Sequence, residues 1–124
     1  MRTLLLAVML LGAAPAWAGW WWWEYAQSDL ASFQYDPESI KKDRHLRRVW
    51  HSYDLHKRAK TGELSSLRYS EFDCKSERRR ILQMTTHRGR YGTGEVLLST
   101  DSPGTWRYVA PGTADESLLK IVCK

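Results

Sequence analysis

Segments rich in aromatic and β-branched residues alternate with polar or glycine-containing turns, and this pattern predicts a sheet of about six strands. The predicted strands are residues 20–27, 32–36, 46–55, 66–75, 78–88 and 95–100. Residues 41–44 and 57–63 are polar and are predicted to be loops, while residues 105–110 are predicted to be a short extended segment. Because only two residues separate the fourth strand from the fifth, these strands are expected to form a hairpin.

The C-terminal segment changes to a helical pattern. Thr113 is followed by Glu116 three positions later, an arrangement in which two side chains cap the backbone amides at the start of a helix. Apolar side chains then recur on one helical face, at Leu118, Leu119, Val122 and Cys123. A sheet followed by one helix predicts an α+β fold, in which the apolar face of the helix packs against another element.

Residues 1–18 have the pattern of a cleavable signal peptide. Arg2 supplies a positive charge, an apolar run follows it, and the small residues Ala16 and Ala18 stand where signal peptidase reads the chain. Cleavage after Ala18 is therefore predicted, which leaves residues 19–124 as one domain of ordinary size. The alternative is an uncleaved membrane anchor, but the apolar run is short for a helix that crosses a bilayer.

Two cysteines, Cys74 and Cys123, follow the signal peptide. An even number of cysteines in an exported protein indicates a disulfide, here one that closes a loop of about 50 residues and stabilises the fold by roughly 4 kcal/mol. The alternative is two free thiols or a metal-binding pair, although no further Cys or His stands at zinc spacing. If the helical face that bears Cys123 packs on the sheet, Cys74 is its available partner and the bond tethers the helix to the sheet.

Four consecutive tryptophans, Trp20 to Trp23, begin the predicted first strand. Side chains on a strand alternate between its two faces, so all four tryptophans cannot enter one core. Trp20 and Trp22 share one face with Glu24, and Trp21 and Trp23 share the other. We expect two of the four in the core, and Trp20 and Trp22 are the candidates for an exposed binding surface.

The chain has a formal net charge of +5 at pH 7, and much of its positive charge is clustered at residues 41–48, 57–60 and 78–80. If the fold brings these clusters together, they form a patch that attracts anionic glycans, lipopolysaccharide or acidic proteins. The candidate binding residues are Arg44, Arg47, Arg48, Arg78, Arg79 and Arg80. The alternative is a solvated face whose charges keep strand edges from pairing with other chains.

The sequence contains no recognisable catalytic or cofactor motif. It has no nucleophile elbow, no paired-carboxylate motif and no HExxH, and its Gly-Thr-Gly segment lacks the Lys-Ser/Thr of a phosphate-binding loop. His51 and His56 are expected on opposite faces of a strand, and Asp54 and His56 are better explained as surface polar residues than as metal ligands. We therefore predict no enzyme activity, no cofactor and no metal, and export argues against nucleic acid as a partner.

A set of short motifs runs along the chain: FQYDPESIKK from residue 33, YSEFDCK from residue 69, YGTGEV from residue 91, WRYVAPGT from residue 106 and LLKIVCK from residue 118. Together they resemble the surface-adhesin protein E family, which consists of small exported proteins of Gram-negative bacteria. The resemblance covers nearly all of residues 19–124 in order. It implies an antiparallel sheet with a C-terminal helix that a disulfide fixes to the sheet.

The same resemblance implies a function. It suggests a non-enzymatic adhesin that binds host extracellular-matrix proteins such as vitronectin and laminin. The residues themselves indicate anionic glycans as the other candidate ligand. The alternative hypothesis is a periplasmic structural or accessory protein with a partner in the cell envelope. Under both hypotheses the signal peptide exports the protein, either to the periplasm or to the outer cell surface.

Overall fold

A computed structural model describes residues 22–124. The strands are β1 (Trp23–Gln27), β2 (Ala31–Tyr35), β3 (Lys41–Asp43), β4 (Leu46–Leu55), β5 (Ser65–Asp73), β6 (Arg78–His87), β7 (Val96–Thr100) and β8 (Arg107–Tyr108), and the helix is α1 (Ala114–Val122). Short 3₁₀ turns lie at Pro37–Ser39 and Arg90–Gly92. Within the described residues, no helix is long and apolar enough to cross a membrane.

All strands pair antiparallel in one sheet, whose main path is β1-β2-β4-β5-β6-β7. Strands β3 and β2 lie end to end along β4, because β3 pairs with residues 46–48 and β2 pairs with residues 51–55. In the same way, β8 pairs with the start of β6 and β7 pairs with its end. The long strands β4, β5 and β6 therefore form the centre of the sheet.

The turn between β5 and β6 is held by Asp73. Its Oδ1 accepts hydrogen bonds from the backbone amides of Lys75 at 3.0 Å and Ser76 at 3.1 Å. Aspartate favours such turns because its short side chain bonds to the backbone two or three residues further on. Glu77 then takes a φ of 55°, which reverses the chain into β6. The predicted hairpin is confirmed.

Helix α1 begins where the sequence predicts, since the Oγ1 atom of Thr113 accepts a hydrogen bond from the Glu116 amide at 3.3 Å. The buried face of the helix packs on the sheet and completes the hydrophobic core, which contains Tyr35, Val49, Phe72, Leu118, Leu119 and Val122. Cys74 and Cys123 form a disulfide, so the end of the helix is tethered to the chain just after β5. The α+β fold and the tether are both confirmed.

Two strands depart from the predicted pattern. Residues 41–44 were expected to be a loop, but Lys41–Asp43 forms β3 and the turn falls at Arg44, which has a φ of 54°. All three residues of β3 are exposed, so burial imposes no apolar pattern on them. Arg107–Tyr108, in the predicted extended segment, pairs with β6 as a further strand. The predicted signal peptide lies outside the described residues.

Candidate functional site

The sheet has two different faces. On β4, Val49 and His51 point toward helix α1, whereas Arg48 and Trp50 point away from it, because side chains alternate along a strand. Helix α1 covers the first face. We call the opposite face the helix-free face. At the end of the sheet where β4 begins, arginines and aromatic rings collect on this face.

A fully buried carboxylate, Glu71 on β5, lies on the helix-free face. Arg48 on β4 donates from Nε to Oε2 at 2.8 Å, and Arg80 on β6 places Nε and Nη2 at 2.9 and 2.8 Å from Oε1. The three residues are directly opposite one another in the register of adjacent strands. Burial alone would raise the pKa of Glu71, but the hydrogen bonds from the two guanidinium groups outweigh it, and the pKa lies below its usual value.

Aromatic rings extend this arrangement toward β8. The guanidinium carbon of Arg80 lies 4.8 Å from the centre of the Trp106 ring, and that of Arg78 lies 5.9 Å from Trp106 and 5.8 Å from Tyr108. These distances allow cation–π attraction. Tyr108 is 79% exposed, so this end is open to solvent. We define Arg48, Arg78, Arg80, Trp106 and Tyr108 as the arginine–aromatic strip.

A second aromatic feature borders the strip. Trp50 on β4 and Tyr69 on β5 face each other across the two strands, two positions along from Arg48 and Glu71. Their rings are stacked, with centres 4.8 Å apart and planes inclined by 25°. Both side chains are half-buried. A flat aromatic surface therefore lies beside the positively charged one.

The guanidinium groups of the strip are held in place without being saturated. Within residues 22–124, Arg48 and Arg78 use only Nε in hydrogen bonds, and Arg78 donates to Ser76 Oγ at 3.0 Å. Arg80 uses Nε and Nη2 and keeps Nη1 available. A planar guanidinium binds carboxylate, sulfate or phosphate through parallel hydrogen bonds. The remaining Nη groups are therefore donors for an incoming anion.

The other three arginines expected to bind a ligand do not join the strip. Arg79 points toward the helix, where its Nε lies 2.5 Å from Asp115 Oδ2. Arg47 points the same way and donates to the carbonyl oxygens of Val122 at 3.1 Å and Arg44 at 2.6 Å. Arg44 itself is exposed in the turn between β3 and β4. The clusters are divided because neighbours on a strand face opposite ways.

The expectation that Trp22 is exposed is wrong, since only 7% of this residue is accessible to solvent. Strand β1 begins at Trp23, so Trp22 precedes the ladder and strand alternation does not set its direction. A register shift between Glu24 and Ala26 also interrupts the alternation within β1. Trp23, assigned to the opposite face, is 62% exposed. Trp20 lies outside the described residues.

Glu71, Trp106 and Tyr108 were not among the binding residues predicted from the sequence. A local signal existed for the two aromatic residues, because residues two apart in an extended segment share a face. Their position beside Arg78 and Arg80 depends on the pairing of β8 with β6. No local pattern predicts that pairing, because it joins segments that are distant in sequence.

A buried histidine supports the other face of the sheet. His51 Nε2 lies 2.7 Å from Ser70 Oγ, and its Nδ1 lies 3.4 Å from the Tyr25 hydroxyl. Burial, assisted by the positive charges of Arg68 and Arg79, lowers the pKa of His51 to about 3, so the ring is neutral near pH 7. Ser70 is fully buried, which makes this pair part of the packing. Within residues 22–124, no cluster of three His, Cys, Asp or Glu side chains can hold a metal ion.

Comparisons with known proteins agree with this architecture. A family model described as surface-adhesin protein E matches residues 22–124. The chain is similar to crystal form II of Haemophilus influenzae protein E, with 17% identity, a TM-score of 0.56, and coverage of 73% of this chain and 79% of that chain. A second structure of Haemophilus influenzae protein E matches with 16% identity, a TM-score of 0.56, and coverage of 73% and 76%. No curated protein sequence matches the chain.

Proposed function

Because this chain belongs to the surface-adhesin protein E family, we propose that it is an exported, non-enzymatic binding module of the adhesin type, and that its arginine–aromatic strip binds anionic glycans. Family membership supports the adhesin-like role and a place on the cell surface. The choice of glycan rests on the chemistry of the strip.

The observation that carries the proposal is the attachment of two guanidinium groups to one buried carboxylate. A free arginine loses side-chain entropy when it binds a ligand. Arg48 and Arg80 have already lost much of this freedom, because Glu71 holds both of them from the side of the protein. The Nη groups of Arg48 and the Nη1 group of Arg80 therefore bind a sulfate or carboxylate at a lower entropy cost, and such pre-organisation raises affinity.

The aromatic rings of the strip suit the apolar face of a sugar ring. A pyranose ring has a face of C–H groups that packs on an aromatic ring, and Trp and Tyr combine an apolar body with a polar tip. Trp106 lies next to Arg80 and Tyr108 next to Arg78. Rings and cations side by side favour a sulfated or carboxylated sugar over a bare inorganic anion, which the rings do not contact favourably.

Heparin is a suitable probe of this site. Residues 19–124 should bind immobilised heparin saturably in surface plasmon resonance, with an affinity that falls as salt is raised. We expect Arg80→Gln to weaken binding by about tenfold or more, because hydrogen bonds to charged groups are worth about 1.5–3 kcal/mol. Trp106→Ala should also weaken binding, through the loss of the ring.

Arg107→Gln is the matched control. Arg107 lies between Trp106 and Tyr108 and pairs with Arg79, so it points away from the strip. The two glutamine variants remove the same charge from neighbouring strands. Equal losses of affinity in both would contradict the strip as the site and indicate diffuse electrostatic attraction. Absence of saturable heparin binding would contradict the glycan proposal.

Export and location have a separate test. We propose cleavage after Ala18, so N-terminal sequencing of the protein from cells should begin at Gly19. Protease added to intact cells should degrade a surface adhesin. Protection until the outer membrane is permeabilised would instead favour the periplasmic accessory role with an envelope partner.

A further inference from the structure

A groove of about 370 Å³ opens on the helix side of the sheet, beyond the first turn of α1. It lies between that turn and the strands β2, β4 and β5. Its volume falls in the range of about 300–1,000 Å³ that is usual for small-molecule sites. The groove is on the opposite face from the arginine–aromatic strip, so it is independent of the proposed glycan site.

The walls of this groove are mostly apolar. The rings of Phe33 on β2 and Tyr53 on β4 lie 6.3 Å apart and line it, together with Leu55. Leu30, in the turn between β1 and β2, lies at the groove and is 77% exposed. Apolar surface that remains in water beside a concave site is stabilised when an apolar ligand covers it.

The groove also contains a guanidinium group without a carboxylate partner. The Cζ atom of Arg68 lies 4.8 Å from the centre of the Tyr53 ring. Within residues 22–124, its guanidinium group makes one hydrogen bond, a long contact of 3.4 Å from Nε to Ser66 Oγ. The carboxylate that lines the groove, Asp115, is already bonded to Arg79. Among the residues that line the groove, no carboxylate therefore remains to pair with Arg68.

The first turn of the helix lies at the same wall, since Thr113, Ala114 and Asp115 line the groove, and the carboxylate of Asp115 is paired with Arg79. A cationic ligand is repelled by Arg68, and an uncharged one leaves Arg68 without a partner. A small inorganic anion leaves the apolar walls exposed. Only a ligand with an apolar chain and an anionic end both covers the apolar walls and pairs with Arg68.

We propose that this groove binds a medium-chain fatty acid, with its alkyl chain along Phe33 and Tyr53 and its carboxylate on Arg68. The alkyl chain covers Leu30, which is 77% exposed, and the part of Leu55 that lines the groove. The carboxylate supplies the counter-charge of Arg68 through charge-assisted hydrogen bonds.

Isothermal titration calorimetry with decanoate, below its micelle concentration, tests the proposal. Decanol and decyltrimethylammonium have the same chain with a neutral or a positive end. We expect saturable binding of decanoate to residues 19–124, binding of decanol weaker by about tenfold, and no binding of the cation. Equal affinities for all three would show nonspecific hydrophobic binding and overturn the proposal.

Two variants distinguish the effect of the Arg68 charge on binding from a general effect on folding. Arg68→Gln should weaken decanoate binding by about tenfold and leave decanol binding unchanged, a difference that misfolding cannot produce. Leu30→Ser, at an exposed position, should weaken both ligands. Arg107→Gln, at an exposed position that does not line the groove, should change neither. Unchanged decanoate affinity in Arg68→Gln, or NMR shifts confined to the helix-free face, would overturn the proposal.

Discussion

Arg79 on β6 and Asp115 in the first turn of α1 form an ion pair in which Nε and Oδ2 lie 2.5 Å apart. Both side chains are largely shielded from solvent, with 21% and 28% exposed. Asp115 also lies at the positive end of the helix dipole, which favours its negative charge. The pair therefore holds the amino end of the helix on the sheet, as the disulfide holds the carboxyl end.

Arg79→Gln should lower the free energy of unfolding by about 2 kcal/mol, because it leaves a shielded carboxylate without its charged partner. Urea unfolding followed by circular dichroism measures this change. The substitution should leave heparin affinity nearly unchanged, whereas Arg80→Gln at the next residue should reduce it. Loss of heparin affinity in a stable Arg79→Gln protein would contradict the assignment of these two residues to opposite faces.

Removal of the disulfide should destabilise the protein strongly. The bond joins residues 49 positions apart, and a loop of this length corresponds to roughly 4 kcal/mol in the chain-entropy treatment. The double variant Cys74→Ser, Cys123→Ser leaves no free thiol. Its thermal unfolding should begin at a temperature well below that of the parent protein. An unchanged melting temperature, with or without reductant, would mean that the bond contributes no stability.

The N-cap of the helix contributes less to the stability of the protein than the disulfide does. Thr113→Ala removes the acceptor of the Glu116 amide and should lower the free energy of unfolding by about 1 kcal/mol. Thr113→Ser retains the hydroxyl group and should restore most of the stability. Urea unfolding of the two variants beside the parent makes this comparison. Equal destabilisation by alanine and serine would show that the methyl group, and not the cap, matters.

The buried ring of His51 predicts a pH dependence of stability. Its pKa is about 3 in the folded protein and 6.5 in an unperturbed histidine, so between these values the unfolded chain binds more protons than the folded one. Stability should therefore fall as pH is lowered from 6.5 toward 3, with a slope that approaches about 1.4 kcal/mol per pH unit from this residue. Above pH 6.5 the contribution of His51 is constant.

His51→Gln is the control for this dependence. Carboxylates with lowered pKa values, such as Glu71, also lose stabilising interactions as acid protonates them. The informative quantity is therefore the difference between the parent and His51→Gln in urea unfolding at a series of pH values. Parallel curves between pH 6.5 and 4 would contradict a neutral buried ring.

Features that depend on neighbours in sequence were predicted well. Thr113 and Glu116 lie within one helical turn, so the cap is readable without the fold. Strand β4 has the predicted bounds, residues 46–55. Trp22 is a residue whose side-chain direction such local patterns do not predict. Alternation predicts a side-chain direction only inside a paired strand, and the ladder begins one residue later.

The binding surfaces could be predicted only in part. The run of arginines at 78–80 is obvious in the sequence, but alternation sends Arg79 to the helix and its two neighbours to the helix-free face. Trp106 completes the strip through the pairing of β8 with β6. Arg68 did not belong to any charge cluster, and its importance comes from the apolar groove around it.

The sequence by itself determined the six strands of the main path of the sheet, the start of the helix and the availability of two cysteines for one bond. Each of these depends on backbone propensity, side-chain periodicity or composition within a short segment. Tertiary structure alone decided that Glu71 holds Arg48 and Arg80, that Trp106 lies beside them, and that Arg68 faces a groove without a counter-charge. Arg80 and Glu71 face each other across one hairpin, but Arg48, Trp106 and the helix reach these positions from segments distant in sequence, and strand register and helix packing bring them together.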